Sequence, residues 1–153
     1  TLKDNDLIKI LKENIKLVKE IDKTIEIELL NNEDVILLNC DKEQMGRVFF
    51  NLVKNSIESI HQKVEKIPNF DKKISIEILK NYNHIKFTLI DNGIGFRSNK
   101  NNINEILNPY YTTKKNGTGL GLSIVNKIIN DHNGELLFHP IDNGAKIEIN
   151  FRI

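Results

Sequence analysis

The chain has 153 residues, with 22 Lys or Arg against 21 Asp or Glu, four His, one Cys and a formal net charge of +1. That length suits one ordinary domain with a sizeable core, not two; balanced charge without a dense basic cluster argues against a nucleic-acid face. No apolar run approaches the ~20 residues of a membrane-spanning helix, and a single Cys excludes an intrachain disulfide. The chain opens on Thr1 with no signal-peptide pattern, and it reads as a soluble, cytoplasmic piece of something longer.

Residues 4–21 carry Leu7, Leu11, Ile15, Val18 and Ile21 at near-helical spacing behind a cap-like Asp4-Asn5-Asp6. They predict an amphipathic helix whose single stripe needs a partner surface. Two β-prone runs follow, 24–30 and 35–39, separated by the turn cluster Asn31-Asn32-Glu33-Asp34. Cys40 closes the second, where a small buried thiol fits. Residues 42–64 give the strongest helix pattern, stopping before Pro68. The runs 73–80 and 84–90 alternate and predict paired strands around Asn81-Tyr82-Asn83. A polar, Asn-rich stretch covers 97–104. Residues 119–132 form a further helix with Leu120, Ile124, Val125, Ile128 and Ile129 on one face, ended by Asn133-Gly134. Strands at 135–139 and 145–152, joined through Asp142-Asn143-Gly144, finish the chain. His132 and His139 lack metal-ligand spacing and read as surface or turn residues. Helices and hairpins alternate without a βαβ cadence, which predicts an α+β domain: a mixed sheet covered on one face by helices.

Three places carry the residue types of a chemical site. In the helix 42–64, Asn51 and Asn55 stand one turn apart on a polar arc with Gln44, Arg47 and Glu58, beside the face of Met45, Phe49, Leu52, Ser56 and Ile60. Asn is a mediocre helix former, and an amide oxygen is a hard, neutral ligand suited to Mg²⁺. A plain solvated face also accounts for the pair. Asp91-Asn92-Gly93-Ile94-Gly95 follows directly on a strand. A carboxylate there can accept from an exocyclic amine such as adenine N6, and the glycines permit close approach of a flat ring, although DNG is also a common turn. Gly117-Thr118-Gly119-Leu120-Gly121 runs straight into a helix, whose N-terminal N–H groups and dipole favour phosphate. Its spacing is neither the dinucleotide G-x-G-x-x-G nor a Walker A loop.

In this order and spacing the three resemble the N, G1 and G2 boxes of the histidine-kinase, gyrase and heat-shock-chaperone ATPase superfamily. Asn108-Pro109-Tyr110-Tyr111-Thr112-Thr113-Lys114 looks like the sensor-kinase F box, and Gly144-Ala145 sits where the last glycine motif belongs. The resemblance covers about 24–153, and within the superfamily it is strongest to the nitrogen-regulation (NtrY-like) sensors. It implies a two-layer α/β sandwich of the Bergerat type. It implies a catalytic ATP-binding domain over 24–153, with 1–23 as the end of a dimerisation helix and linker. Asp91 would bind the adenine amine, Gly93 and Gly95 would line the ring, Asn55 would hold Mg²⁺ and Asn51 would help hold the phosphates. Residues 96–116 would be the mobile lid, with Lys114, Thr118, Gly119, Leu120 and Gly121 as phosphate contacts.

The γ-phosphoryl group would pass to a histidine on dimerisation helices outside this chain, and onward to a response-regulator receiver domain. The parent would be a homodimer anchored in the inner membrane. Asn51 stands where water-activating relatives carry a glutamate, and an amide cannot be a general base. This disfavours an ATPase of the gyrase type. Intact Asn55, Asp91 and glycines argue against a degenerate module that binds ATP without transferring phosphate. Two positions depart from the pattern: Glu58 where sensor kinases often have Lys or Arg, and Ala145 where a Thr often helps hold adenine.

Overall fold

The computed structural model describes residues 1–95 and 121–153. In chain order these form β1 (Lys3–Asp6), α1 (Leu7–Lys19), β2 (Glu26–Asn31), β3 (Leu37–Cys40), α2 (Lys42–Lys66), β4 (Lys73–Lys80), β5 (His84–Asp91), α3 (Gly121–Asp131), β6 (Gly134–Ile141) and β7 (Gly144–Arg152). Among the described residues the principal sheet has the order β2-β4-β5-β7-β6, while β1 and β3 form a separate pair. The β2–β4 pairing is parallel and the other three are antiparallel, so the sheet is mixed as expected.

The first helix begins later than its polar preface suggests. Lys3–Asp6 is a strand, antiparallel to β3 with Lys3 opposite Cys40 and Asp6 opposite Leu37. Asp6 is the cap: its Oδ1 accepts from Ile8 N at 3.0 Å and from Ile36 N at 3.1 Å. Asp and Asn satisfy neighbouring backbone through their own side chains, which favours a boundary over a helix interior. The stripe of α1 is also broader than the heptad-like set, with Leu7, Ile8, Ile10, Leu11 and Val18 buried, whereas Ile21 lies past the helix and is exposed. Its partner surface is α2. Gly46 brings the helices close, since a Cβ there would stand 3.3 Å from the Asn14 amide.

The turn cluster at 31–34 does not make a hairpin. β2 lies beside β4 in parallel, with Ile27 opposite Ile74 and Leu29 opposite Ile76, and β3 pairs elsewhere. The segment β2–α2–β4 is therefore a parallel crossover, the feature that the alternating pattern did not suggest. Parallel strands need a long connection, and α2 supplies it. Asn32 continues the β2 edge with its side chain, giving Nδ2 to Lys80 O and taking Lys80 N at 2.9 and 3.0 Å.

One face of the sheet carries the rows Leu29-Ile76-Leu89-Ile147 and Ile78-Phe87-Ile149-Leu136. These residues join α1, α2 and α3 in a continuous core, with Phe49 of α2 tilted against Phe87 at 5.2 Å between ring centroids. The other face shows Ser75, Glu77, Lys86, Lys146 and Glu148. Period-2 alternation of this kind is what a one-sided sheet requires. At the end of α3, Asn133 takes φ 58° and caps the helix, so the left-handed position falls on the Asn and not the Gly. His132 is not a bland turn residue. Its Nδ1–H donates to Ile128 O at 2.7 Å and its Nε2 accepts Asp41 N at 3.1 Å, joining the end of α3 to the start of α2.

Candidate functional site

The apolar face of the sheet is interrupted at one end. The terminal row reads Ile27-Ile74-Asp91-Ala145, and Asp91, the last residue of β5, is 3% exposed. A carboxylate in an apolar row is costly unless it is hydrogen-bonded. Gly93 N donates to its Oδ1 at 2.9 Å, and the Ser56 hydroxyl is a second partner. Burial dominates nevertheless and pushes the Asp91 carboxyl up to about 6, against the downward pull of Gly93 N–H, Ser56 and the charge of Lys63. The group is therefore buried, aimed at the helix layer and incompletely compensated.

The turn after Asp91 is fixed to α2 and to the β6–β7 turn. Ile94 N donates to both the carbonyl and the hydroxyl of Ser59, at 3.2 and 3.0 Å. Lys63 Nζ donates to Asn92 O at 2.8 Å. The Asn92 side chain accepts Lys73 N at 2.9 Å and donates to Asp71 O. Gly93 is demanded by contact: a Cβ there would lie 2.7 Å from Ser59 C and 2.8 Å from Ile60 N. Gly95 is demanded by conformation as well, at φ 80° with Gly144 O 2.6 Å from an added Cβ. The β6–β7 turn is thus in register with the site, Ala145 lying opposite Asp91.

Asn51 and Asn55 lie one turn apart on α2, both half-buried. Asn55 is followed by Ser56, the partner of Asp91, so on α2 the amide arc adjoins the position that meets the carboxylate. Helix α3 packs beside α2, and among the described residues nothing outside its own helix and chain neighbours lies within 4 Å of a Cβ added at Gly121. Lys114, Thr118, Gly119, Leu120, the F-box segment and the expected lid at 96–116 lie outside the described residues.

Sequence reasoning missed Ser59 and Lys63 and put Ser56 only on the apolar face. Small hydroxyls at 56 and 59, one turn apart below Asn55, were the available signal. Their role becomes visible only when α2 is laid over the end of β5.

The sequence profile of the histidine kinase-, DNA gyrase B- and HSP90-like ATPase family matches residues 40–153. Sporulation kinase C of Bacillus subtilis (strain 168) is 34% identical over 139 residues, 89% of this chain and 30% of that protein. A putative NtrY-like sensor histidine kinase of Rickettsia bellii (strain RML369-C) is 30% identical over 149 residues, 97% of this chain and 23% of that protein. The mycobacterial sensor histidine kinase MprB superposes with a TM-score of 0.85 at 18% identity, covering 99% of this chain and 97% of that one. The catalytic domain of histidine kinase ThkA does so at 0.84 and 24%, covering 99% and 95%. At these identities the structures speak for the fold. The chain belongs to the histidine kinase-, DNA gyrase B- and HSP90-like ATPase family. It spans 14 to 30% of the length of the first curated relatives.

Proposed function

We propose that this domain binds ATP with its adenine amine on Asp91 and presents the γ-phosphoryl group to a histidine on separate dimerisation helices. The single observation that carries the reading is the buried, incompletely compensated carboxylate of Asp91 at the end of an apolar sheet face. An exocyclic amine is the donor such an acceptor lacks. Gly93 and Gly95, kept bare by Ser59, Ile60 and Gly144, line the ring.

Asn55, with Asn51 beside it, would supply amide oxygen to a Mg²⁺ ion, and Lys114, Thr118, Gly119, Leu120 and Gly121 would contact phosphate. Among the described residues no group of three His, Cys, Asp or Glu could hold a metal by itself. The donor set fits Mg²⁺, which takes much of its shell from water and phosphate. When bound, Mg²⁺ would neutralise phosphate charge. The chain's own residues hold the base, orient the phosphates and leave the attack to the acceptor imidazole.

The partners follow from the same reading: acceptor helices in a homodimeric parent, then a response-regulator receiver domain. The solved complex of histidine kinase ThkA with the response regulator protein TrrA supports the second. Residues 1–23 join the dimerisation helices to the catalytic domain of 24–153, with α1 packed into the core of that domain. No described helix is long and apolar enough to cross a membrane. Titration calorimetry with Mg-ADP at pH 7 tests the reading. Binding that is lost or weakened in Asp91→Asn is expected, and a folded protein that takes up no nucleotide overturns it.

A further inference from the structure

Lys63 lies two turns beyond Asn55 on α2, outside every motif read from the sequence. Its ammonium is held from two sides: it donates to Asn92 O at 2.8 Å and stands 4.5 Å over the ring of Phe70. Two such contacts fix a flexible four-carbon side chain that solvation alone would leave free. Asn92 lies in the turn after β5, and Phe70 in the connection between α2 and β4. Asn92, whose carbonyl Lys63 grips, is the residue between Asp91 and Gly93, and its amide is already tied to Lys73 N and Asp71 O.

We propose that Lys63 is a positioning residue for nucleotide recognition, clamping the 91–94 turn onto α2 so that Asp91 faces the base. The inference rests on the adenine role proposed for Asp91. The electrostatic surroundings agree with it. On the elements packed round Asp91, α2 presents Ser56 and Lys63, β4 presents Ile74 and β7 presents Ala145. Lys73 at the start of β4 turns its ammonium to Glu28 instead, at 3.3 Å. Lys63 therefore supplies cationic charge to a carboxylate that burial drives toward the protonated form, and a protonated Asp91 loses acceptor strength toward an amine.

The test is Mg-ADP calorimetry from pH 5 to pH 8 on the wild type, Lys63→Met, Lys63→Arg and Asp91→Asn. Wild-type affinity is expected to fall as pH drops through about 6, where Asp91 titrates. Lys63→Met should bind about threefold to tenfold more weakly at pH 7 and move the midpoint upward. Lys63→Arg, which keeps charge and donor, should restore both. A folded Lys63→Met with wild-type affinity and midpoint, while Asp91→Asn is weakened, overturns the role of Lys63 alone. An Asp91→Asn that binds like the wild type removes the adenine role and this inference with it. Should Lys63→Met not fold, Lys63→Gln removes the charge and shortens the reach to Asn92 O, and wild-type affinity together with an unchanged midpoint there overturns the proposal equally.

Discussion

At the scale of single residues, Asp91 sets stability and binding against each other. Its folded value of about 6 lies above the ordinary 3.8, so the folded state holds the proton more tightly than the unfolded chain between those values. Stability should fall as pH rises from about 4 to 6, and the cost persists above 6. Asp91→Asn removes the charge while its amide can still accept Gly93 N–H. The nucleotide-free variant should gain about 1–3 kcal/mol at pH 7, read by chemical denaturation, and its pH dependence over 4–6 should flatten. The same variant should lose about 1–3 kcal/mol of nucleotide binding through loss of a charge-assisted hydrogen bond. A variant that is destabilised at pH 7, or that binds Mg-ADP as tightly as the wild type, contradicts the assignment. Gly93→Ala probes the neighbouring constraint. Its Cβ would meet backbone of Ser59 and Ile60 at 2.7 and 2.8 Å, and the turn must move. We expect a loss of about 1–3 kcal/mol together with weaker nucleotide binding; a folded variant with unchanged denaturation midpoint would show the turn to be slack.

At the scale of elements, legibility followed the period of the apolar residues. Helix α2 and the strands read at 73–80 and 84–90 were readable because their patterns are long and strict, and their ends carry an Asp cap or an Asn turn. The pairing of β2 with β4 was not readable. It depends on a crossover over α2, and no local residue records which distant strand a run of apolar residues will join. Asp91, Gly93 and Gly95 could be named from sequence because the turn chemistry is local. Ser59, Lys63 and the His132 link could not, because each acts on a residue 29 to 91 positions away. Asp22 is another long-range tie, joining the α1–β2 turn to α2 through His61 at 2.8 Å and to the segment before β4 through Lys72 at 3.9 Å. Its carboxyl is lowered to about 2, chiefly by the Thr24 side chain, with His61 and Lys72 contributing. A depressed carboxyl stabilises above its unfolded value near 4, and that contribution disappears as pH falls through about 2. Solvent screening keeps it small, about 1 kcal/mol or less. Thermal melts of Asp22→Asn should therefore start lower at pH 7 and converge on the wild type toward pH 2. Equal midpoints at pH 7 would mean the tie contributes nothing.

At the scale of the whole molecule, the proposed function separates holding a phosphoryl group from accepting it. Asn51 and Asn55 stand on α2, whose Ser56 is a partner of Asp91, and α3 packs beside α2; in the proposed function the start of α3 faces phosphate. Asn51, where a hydrolytic base would stand, is an amide and cannot take a proton from water. The sequence also lacks a His-Glu or His-Asp followed shortly by Pro-Leu, the pattern of a phosphoacceptor helix. The chain alone should therefore bind labelled ATP, release phosphate very slowly and carry no stable label itself. Supplying the acceptor helices of its own parent should restore transfer, because what remains of catalysis is position and charge neutralisation. Asn55→Ala should then reduce transfer by about a hundredfold or more, since loss of an amide ligand misplaces the phosphates. Lys63→Arg, outside the phosphate side, should transfer at nearly the wild-type rate. Label that accumulates on the isolated chain, or rapid phosphate release without acceptor helices, would assign this domain to a different reaction.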